Sequence, residues 1–159
     1  MNSPLHITRI LVPVDGSACS RYAAEHAVRI AQAYAAEVIF LHAVDDQVVE
    51  QLAIRETDGG QNIRERLMET GHMYLRDVAR FAADAHLAHR QELDVGDPCA
   101  VICDAAAHLD VDLIVMGKIG RRGARRILMG SITRRVAEST DRPVLIVSGP
   151  PAERAAVGG

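Results

Sequence analysis

The chain has no tryptophan, three tyrosines and only two phenylalanines, Phe40 and Phe81, among 159 residues. So sparse a set of rings does not build the stacking platforms on which proteins hold single-stranded nucleic acid. Cysteine is as scarce, with Cys19, Cys99 and Cys103 alone. An odd, small count makes no disulfide framework. Cys99 and Cys103 are four apart and would share a helix face. Two readings are open to them, a pair of small buried hydrophobes or a metal pair. No apolar stretch reaches the about 18 residues of a membrane-spanning helix. The segment Met1–Arg9 lacks the charged-then-apolar layout of a secretory signal, so a cytoplasmic location is expected, with no membrane partner. Neither GxxxxGK[ST] nor GxGxxG occurs, which counts against a P-loop NTPase and a dinucleotide dehydrogenase. No Ser-His-Asp order, paired carboxylates or nucleophile elbow is present, so no catalytic residue is expected.

What is present is ordinary in bulk and uneven in detail. The chain is 48% hydrophobic and 25% charged, with a formal net charge of −3. That suits one globular domain with a real core, expected over residues 1–148, followed by a flexible Gly/Pro/Ala-rich tail, 149–159. Residues 118–135 hold Lys118, the only lysine, and Arg121, Arg122, Arg125, Arg126, Arg134 and Arg135, with no acid. That is +7, so the remainder carries −10 (−3 minus +7). An arginine fork grips phosphate, although a solvated basic face has the same composition. A nucleic-acid footprint fits the overall balance poorly.

The apolar runs Ile10–Val14, Val38–Val44, Leu113–Met116 and Val144–Val147 are short and β-branched, as in strands buried on both faces. Arg90–Val95 is a weaker fifth strand. Helical periodicity appears over Ser17–Ala35, with Ala23, Ala27, Ile30, Ala31 and Tyr34 inward, and over about Asn62–Leu87. Asp97-Pro98 reads as an N-cap and first helical residue of a helix to about His108, and a last helix spans Ser131 to about Thr140. The stretch Asp45–Gln61 is a long loop with a turn at Asp58-Gly59-Gly60 and a short helix open to Gln47–Glu56. Strict alternation of strand and helix predicts a Rossmann-like three-layer α/β/α fold with a parallel sheet. Such sheets bind ligands beyond the carboxyl ends of their strands, where the strand order reverses.

The segments that follow the strands therefore matter most. After the fourth comes Met116-Gly117-Lys118-Ile119-Gly120, then nine residues, then Gly130-Ser131 opening a helix, a G-x2-G-x9-G-S pattern. Glycines allow a close backbone approach to an anion, and a helix start adds free N–H groups and a positive dipole end. The same glycines would also serve plain turns. After the first strand, Asp15 in Pro13-Val14-Asp15-Gly16-Ser17 can meet a ribose, an adenine amino group or a metal-bound water. Asp15 or Ser17 can equally cap the next helix. His42-Ala43-Val44 would border the same cleft, with backbone groups for a base edge and His42 more readily a packing residue. His86 and His89 near Asp84 hint at a metal, but the spacing is loose and a surface cluster fits better.

Over Ile7–Ser148 the chain resembles the universal stress protein family. The resemblance rests on Ile10–Ser17, Leu41–Val44, Val95–Pro98, Asp112–Gly117, Met129–Thr133 and Arg142–Val147, and on the glycine spacing of that family's ATP-binding branch. It implies a five-stranded parallel sheet in order 3-2-1-4-5 and a homodimer paired through the last strand, Val144–Val147. It also implies an adenosine pocket lined by Pro13, Val14 and Asp15, with the Ala43 backbone against adenine. Gly117, Gly120, Gly130, Ser131 and Ile132 would hold ribose and phosphates, with Met116 leading into them. Where the family often has histidine or arginine inside the first glycine turn, this chain has Ile119, which cannot donate to phosphate. Lys118 and Arg121 are the candidates to replace it. The implied ligand is ATP, or ADP or AMP, with Mg2+ able to accompany a triphosphate. The implied role is a regulatory stress-response module acting on a protein partner that the resemblance does not identify. The alternatives are a slow ATP hydrolase and a dimeric interaction protein with an empty cleft.

Overall fold

The computed structural model describes residues 4–56, 61–120 and 128–150. Five strands and five helices follow one another as β1 (Arg9–Pro13), α1 (Ala18–Tyr34), β2 (Glu37–Asp45), α2 (Asp46–Ala53), α3 (Gln61–Asp84), β3 (His89–Gly96), α4 (Pro98–His108), β4 (Leu113–Gly117), α5 (Ser131–Ser139) and β5 (Val144–Val147). The sheet is parallel throughout, in the order β3-β2-β1-β4-β5. This is the expected Rossmann-like α/β fold. The chain winds outward from β1 to β3, then crosses back to β4, so the order reverses between β1 and β4.

Strand side chains alternate between two faces, and the two faces make two cores. Ile10, Val12, Val38, Phe40 and Val115 pack against α1 and α3. Leu11, Ile39, Leu41, Ile114 and Met116 pack against α4 and α5. Alanine dominates the inner stripe of α1, where Ala23, Ala24, Ala27 and Ala31 are wholly buried. Side chains this short bring the helix axis close to the sheet. Tyr34, expected on this inner face, is 42% exposed. It occupies the last turn of α1, where the helix is about to leave the sheet. Within the long connection after β2, the short helix open to Gln47–Glu56 forms as α2, one residue earlier at its start and three shorter at its end, and its N-cap Asp45 accepts from the Gln47 N–H at 3.0 Å. The turn expected at Asp58-Gly59-Gly60, and positions 151–159 of the expected tail, lie outside the described residues.

Three chain turns after helices use left-handed backbone at non-glycine residues: Ala35 (φ 54), His86 (φ 56) and Asp110 (φ 49). An L-residue pays about 1–2 kcal/mol for that conformation. Part of that is returned when glycine replaces it, because glycine loses more backbone entropy on folding. Ala35→Gly is therefore expected to raise stability by up to about 1 kcal/mol in urea unfolding.

Asp112 secures the start of the central strand. Its Oδ2 accepts from the Thr8 N–H (2.7 Å), the Thr8 hydroxyl (2.8 Å) and the Arg9 N–H (3.0 Å). Burial pushes the Asp112 carboxyl up, but these donors outweigh it and hold its pKa below the ordinary carboxylate value. A carboxyl lowered on folding stabilises above its unfolded pKa and loses that contribution as pH falls through the lowered one. Asp112→Ala is expected to cost about 1–3 kcal/mol at neutral pH. The gap from wild type should narrow below about pH 4, as read from melting curves across pH.

Candidate functional site

A cavity of about 720 Å³ opens over the carboxyl ends of the strands, at the reversal point. That lies within the usual range of small-molecule sites. Its floor is Pro13 ending β1, Val14 and Asp15 just after it, Ala43 in β2, and Met116 and Gly117 ending β4. Gly120, Gly130, Ser131 and Ile132 close one end. The structure thus brings together every expected binding residue except two. Lys118 does not line the cavity. Its backbone N–H donates to the Val147 carbonyl (2.8 Å) and its carbonyl accepts from the Gly130 N–H (2.8 Å), so its backbone ties the end of β4 to β5 and to the start of α5. Arg121 lies outside the described residues, with Arg122, Arg125 and Arg126.

The loop after β1 caps the next helix and also lines the cavity. Ser17 is the N-cap of α1, its hydroxyl oxygen accepting from the Ser20 N–H at 3.1 Å. Asp15 reaches the cavity while its Oδ1 accepts from the Ser17 N–H at 3.0 Å. Gly16, at φ +79, makes the turn between them, and a Cβ there would sit 2.4 Å from the Tyr74 ring.

The three motif glycines serve three different contacts. A Cβ on Gly117 would lie 2.9 Å from Cys19 Sγ and 3.0 Å from the Cys19 carbonyl carbon, so this glycine lets α1 begin tight against the end of β4. A Cβ on Gly120 would lie 2.6 Å from Asp15 Oδ2. Here glycine leaves room for the carboxylate inside the cavity. At Gly130 the nearest atoms to a Cβ are Ile119 Cα and Lys118 O, both at 3.4 Å, which sets the two halves of the motif side by side. Thr133 adds a buried tie, its hydroxyl donating to the Gly117 carbonyl at 2.8 Å.

Gly130 caps α5 without a side-chain hydrogen bond, whereas Ser17, Asp45 and Asp97 cap α1, α2 and α4 through theirs. The first N–H groups of α5 therefore face the cavity end with the positive end of the helix dipole behind them. Arg134 lines the cavity and has no side-chain partner among the described residues. Arg135, counted above as a phosphate grip, is already engaged. Its guanidinium donates to both oxygens of Asp97, each at 3.0 Å. The hydrogen bond from Arg135, then that from the Ala100 N–H, holds the Asp97 carboxyl below its ordinary pKa. A carboxylate in place competes directly with an incoming phosphate for that fork.

The walls also include residues outside the expected binding set. Leu67, Thr70 and Tyr74 come from α3, Gln47 from α2, and Asp97 and Ile102 from α4. Asp97-Pro98 was legible as a helix start but not as a wall. Tyr74 belongs to the helical stripe of α3, and nothing local separates its cavity contact from core packing. Among the described residues no group of three or more His, Cys, Asp or Glu side chains is placed to hold a metal ion. His89 Nδ1 is 2.9 Å from the Leu87 carbonyl. Cys99 is buried, and burial together with the neighbouring Cys99 pushes the Cys103 thiol up to about 11. No helix among the described residues is long and apolar enough to cross a membrane.

A doubly wound parallel sheet with a cavity over its reversal point defines a Rossmann-like α/β domain, and its closure by a glycine turn and a helix start narrows the class. Residues 6–148 match the model of the universal stress protein family, and the chain belongs to that family. Universal stress protein MJ0531 of Methanocaldococcus jannaschii is 36% identical over 145 residues, covering 91% of this chain and 84% of that one. The solved structure of protein MJ0577 superposes with a TM-score of 0.80 at 26% identity, covering 91% of this chain and 97% of the other. A universal stress protein crystallised in complex with cAMP superposes at 0.68 with 25% identity, covering 91% and 99%.

Proposed function

We propose that this protein is an adenine-nucleotide-binding regulatory module of the ATP-binding branch of its family, working in the cytoplasm as a homodimer. The observation that carries the reading is the cavity in which the Asp15 carboxylate, the Gly120 turn and the uncapped start of α5 converge. The start of α5 and Arg134 suit a polyphosphate chain, Asp15 suits ribose hydroxyls, and the Ala43 backbone suits the edge of a base. A structural neighbour that holds cAMP supports an adenine nucleotide as the ligand class. Arg134 and the start of α5 together offer more donors than one phosphate needs, which favours ATP over AMP. With a triphosphate, Mg2+ would be held chiefly by the phosphates, and Asp15 is the carboxylate that could complete its shell.

The strand β5 forms one edge of the sheet, and Leu145 is 39% exposed there. An apolar edge of this kind favours pairing with a second copy. A regulatory partner would read nucleotide occupancy through α2, which shares the cavity wall through Gln47 and Val48.

Calorimetric titration of nucleotide-stripped protein with ATP, ADP, AMP and cAMP tests this reading, with ATP expected to bind most tightly. Absence of saturable binding for all four up to millimolar concentration would sink it. Phosphate release that is equal in wild type and Asp15→Ala would assign any hydrolysis to a contaminant.

A further inference from the structure

The carbonyl of Val14 stands where the sheet runs out. The Val14 N–H still donates to the Leu41 carbonyl at 2.8 Å, continuing the β1–β2 ladder by one step. On the other side, β1 pairs with β4 only at Ile10 and Leu11. Val14 is only 4% exposed, and a buried carbonyl without a partner is costly. The acceptor is met instead by a side chain. His42 Nδ1 lies 2.7 Å from the Val14 carbonyl oxygen. Because a carbonyl only accepts, the Nδ1 position carries the proton, which defines how the ring is protonated on that side.

The ring is held on its other sides as well. It meets Tyr74 edge-on, with centroids 5.5 Å apart and planes at 76°. It also fills a notch in α3 where the helix carries glycine. A Cβ on Gly71 would sit 2.4 Å from His42 Cδ2 and 2.8 Å from Leu93 Cδ1. Glycine inside a helix costs roughly 1 kcal/mol against alanine, and here the notch accounts for it. Tyr74 in turn presses on Gly16, where a Cβ would lie 2.4 Å from the tyrosine ring. Both rings therefore bear on the segment Val14–Gly16, which carries Asp15 into the cavity.

We infer that His42 and Tyr74, seated against Gly71, form a strut that positions the β1–α1 loop and so sets the affinity of the cavity for nucleotide. Both act through Val14 and Asp15 and are positioning residues. The affinity claim rests on the adenine-nucleotide reading above; the claim about the loop does not. A hydrogen bond to one backbone carbonyl is the element at stake, and its loss corresponds to about a fivefold to tenfold change in a binding constant.

The test uses the full chain and three variants: His42→Asn, His42→Leu and Gly71→Ala. Asparagine retains an N–H donor near the Nδ1 position, whereas leucine fills the space and donates nothing. Two readouts are taken. The first, in the unliganded protein, is amide exchange at Asp15 and Ser17, whose N–H groups donate to Ser20 Oγ at 3.3 Å and Asp15 Oδ1 at 3.0 Å. Exchange is expected to quicken at least tenfold in His42→Leu and Gly71→Ala, and to stay near wild type in His42→Asn. Amides of the sheet centre, such as Leu11 and Val12, serve as the control for global stability. The second is ATP affinity by titration, expected about fivefold to tenfold weaker in the two disrupting variants and near wild type in His42→Asn.

Equal exchange at Asp15 and Ser17 in His42→Asn and His42→Leu would overturn the strut. So would quickening at the sheet centre by the same factor as at the loop. If wild type binds no nucleotide while the exchange pattern appears as expected, the functional reading fails and the strut stands. If wild type binds ATP and all three variants bind it equally, the strut has no hold on affinity and the inference fails alone. Should His42→Leu not fold, Gly71→Ala against His42→Asn carries the same comparison.

Discussion

Gly120→Val is expected to weaken ATP binding by more than about a hundredfold, close to 3 kcal/mol, while the protein stays folded. The Cβ of any replacement would lie 2.6 Å from Asp15 Oδ2, and the next heavy atom within reach is Asp15 Cγ at 3.9 Å. The obstruction is thus the tip of one side chain rather than backbone, and its turning gives up the Ser17 N–H contact, about 1 kcal/mol. Turning it removes the carboxylate from the cavity and puts two methyl groups in its place. Stability should change little and affinity a great deal.

Its neighbour in the motif should behave in the opposite way. At Gly117 the Cβ would meet backbone, with the Cys19 carbonyl carbon at 3.0 Å and the Ser20 nitrogen at 3.1 Å. Those atoms belong to the first turn of α1 and cannot swing aside. Gly117→Ala is expected to cost about 1–3 kcal/mol of stability through overpacking. Urea unfolding and nucleotide titration of both variants check the contrast. Unchanged affinity in a folded Gly120→Val protein would remove Asp15 and the glycine turn from the site.

Phe40→Ala is expected to carry the largest effect on stability, about 3–5 kcal/mol. Phe40 is wholly buried in the second strand, paired in register with Val12 on one side and Gln91 on the other. It belongs to the core between the sheet and the α1/α3 layer, where α1 contributes alanines. Alanines neither fill a void nor move outward from one, so the space left by the ring would persist. Domains of this size have roughly 5–15 kcal/mol in all, so one substitution removes a large share. The midpoint of thermal unfolding should fall by the order of 10 °C. Leu145→Ala, at the exposed sheet edge, is the matched control and should shift it far less. A Phe40→Ala midpoint within about 2 °C of wild type would mean the core repacks around the loss, against its expected rigidity.

Much of this architecture was legible beforehand, for identifiable reasons. The strands β1, β2, β4 and β5 announce themselves because burial on both faces demands continuous β-branched and aliphatic residues. The strand β3 is harder to see, since as the other sheet edge it has exposed positions at Arg90, Gln91 and Asp94. The start of α4 was visible in Asp97-Pro98 because a cap is a local bargain between one side chain and one turn of backbone. The extent of α2 was less so, as eight residues with half-buried apolar positions depend on what lies beneath them. Tyr34 was misplaced because periodicity continues to the last turn of α1, whereas contact with the sheet ends sooner.

The candidate site divides along the same line. The order of strands and helices, the two glycine clusters and the carboxylate after the first strand are properties of the sequence, because each depends on neighbours within a few positions. The residues that meet across the cavity are not. That Arg135 is taken up by Asp97, that the Lys118 backbone ties β4 to β5, and that His42 satisfies the Val14 carbonyl under cover of Gly71 all join segments far apart in the chain. Spacing specifies which groups are available, but distance and direction between separate elements arise only when the two cores close. Only the tertiary structure, therefore, decided which charges remain free to hold a ligand and which already hold the fold.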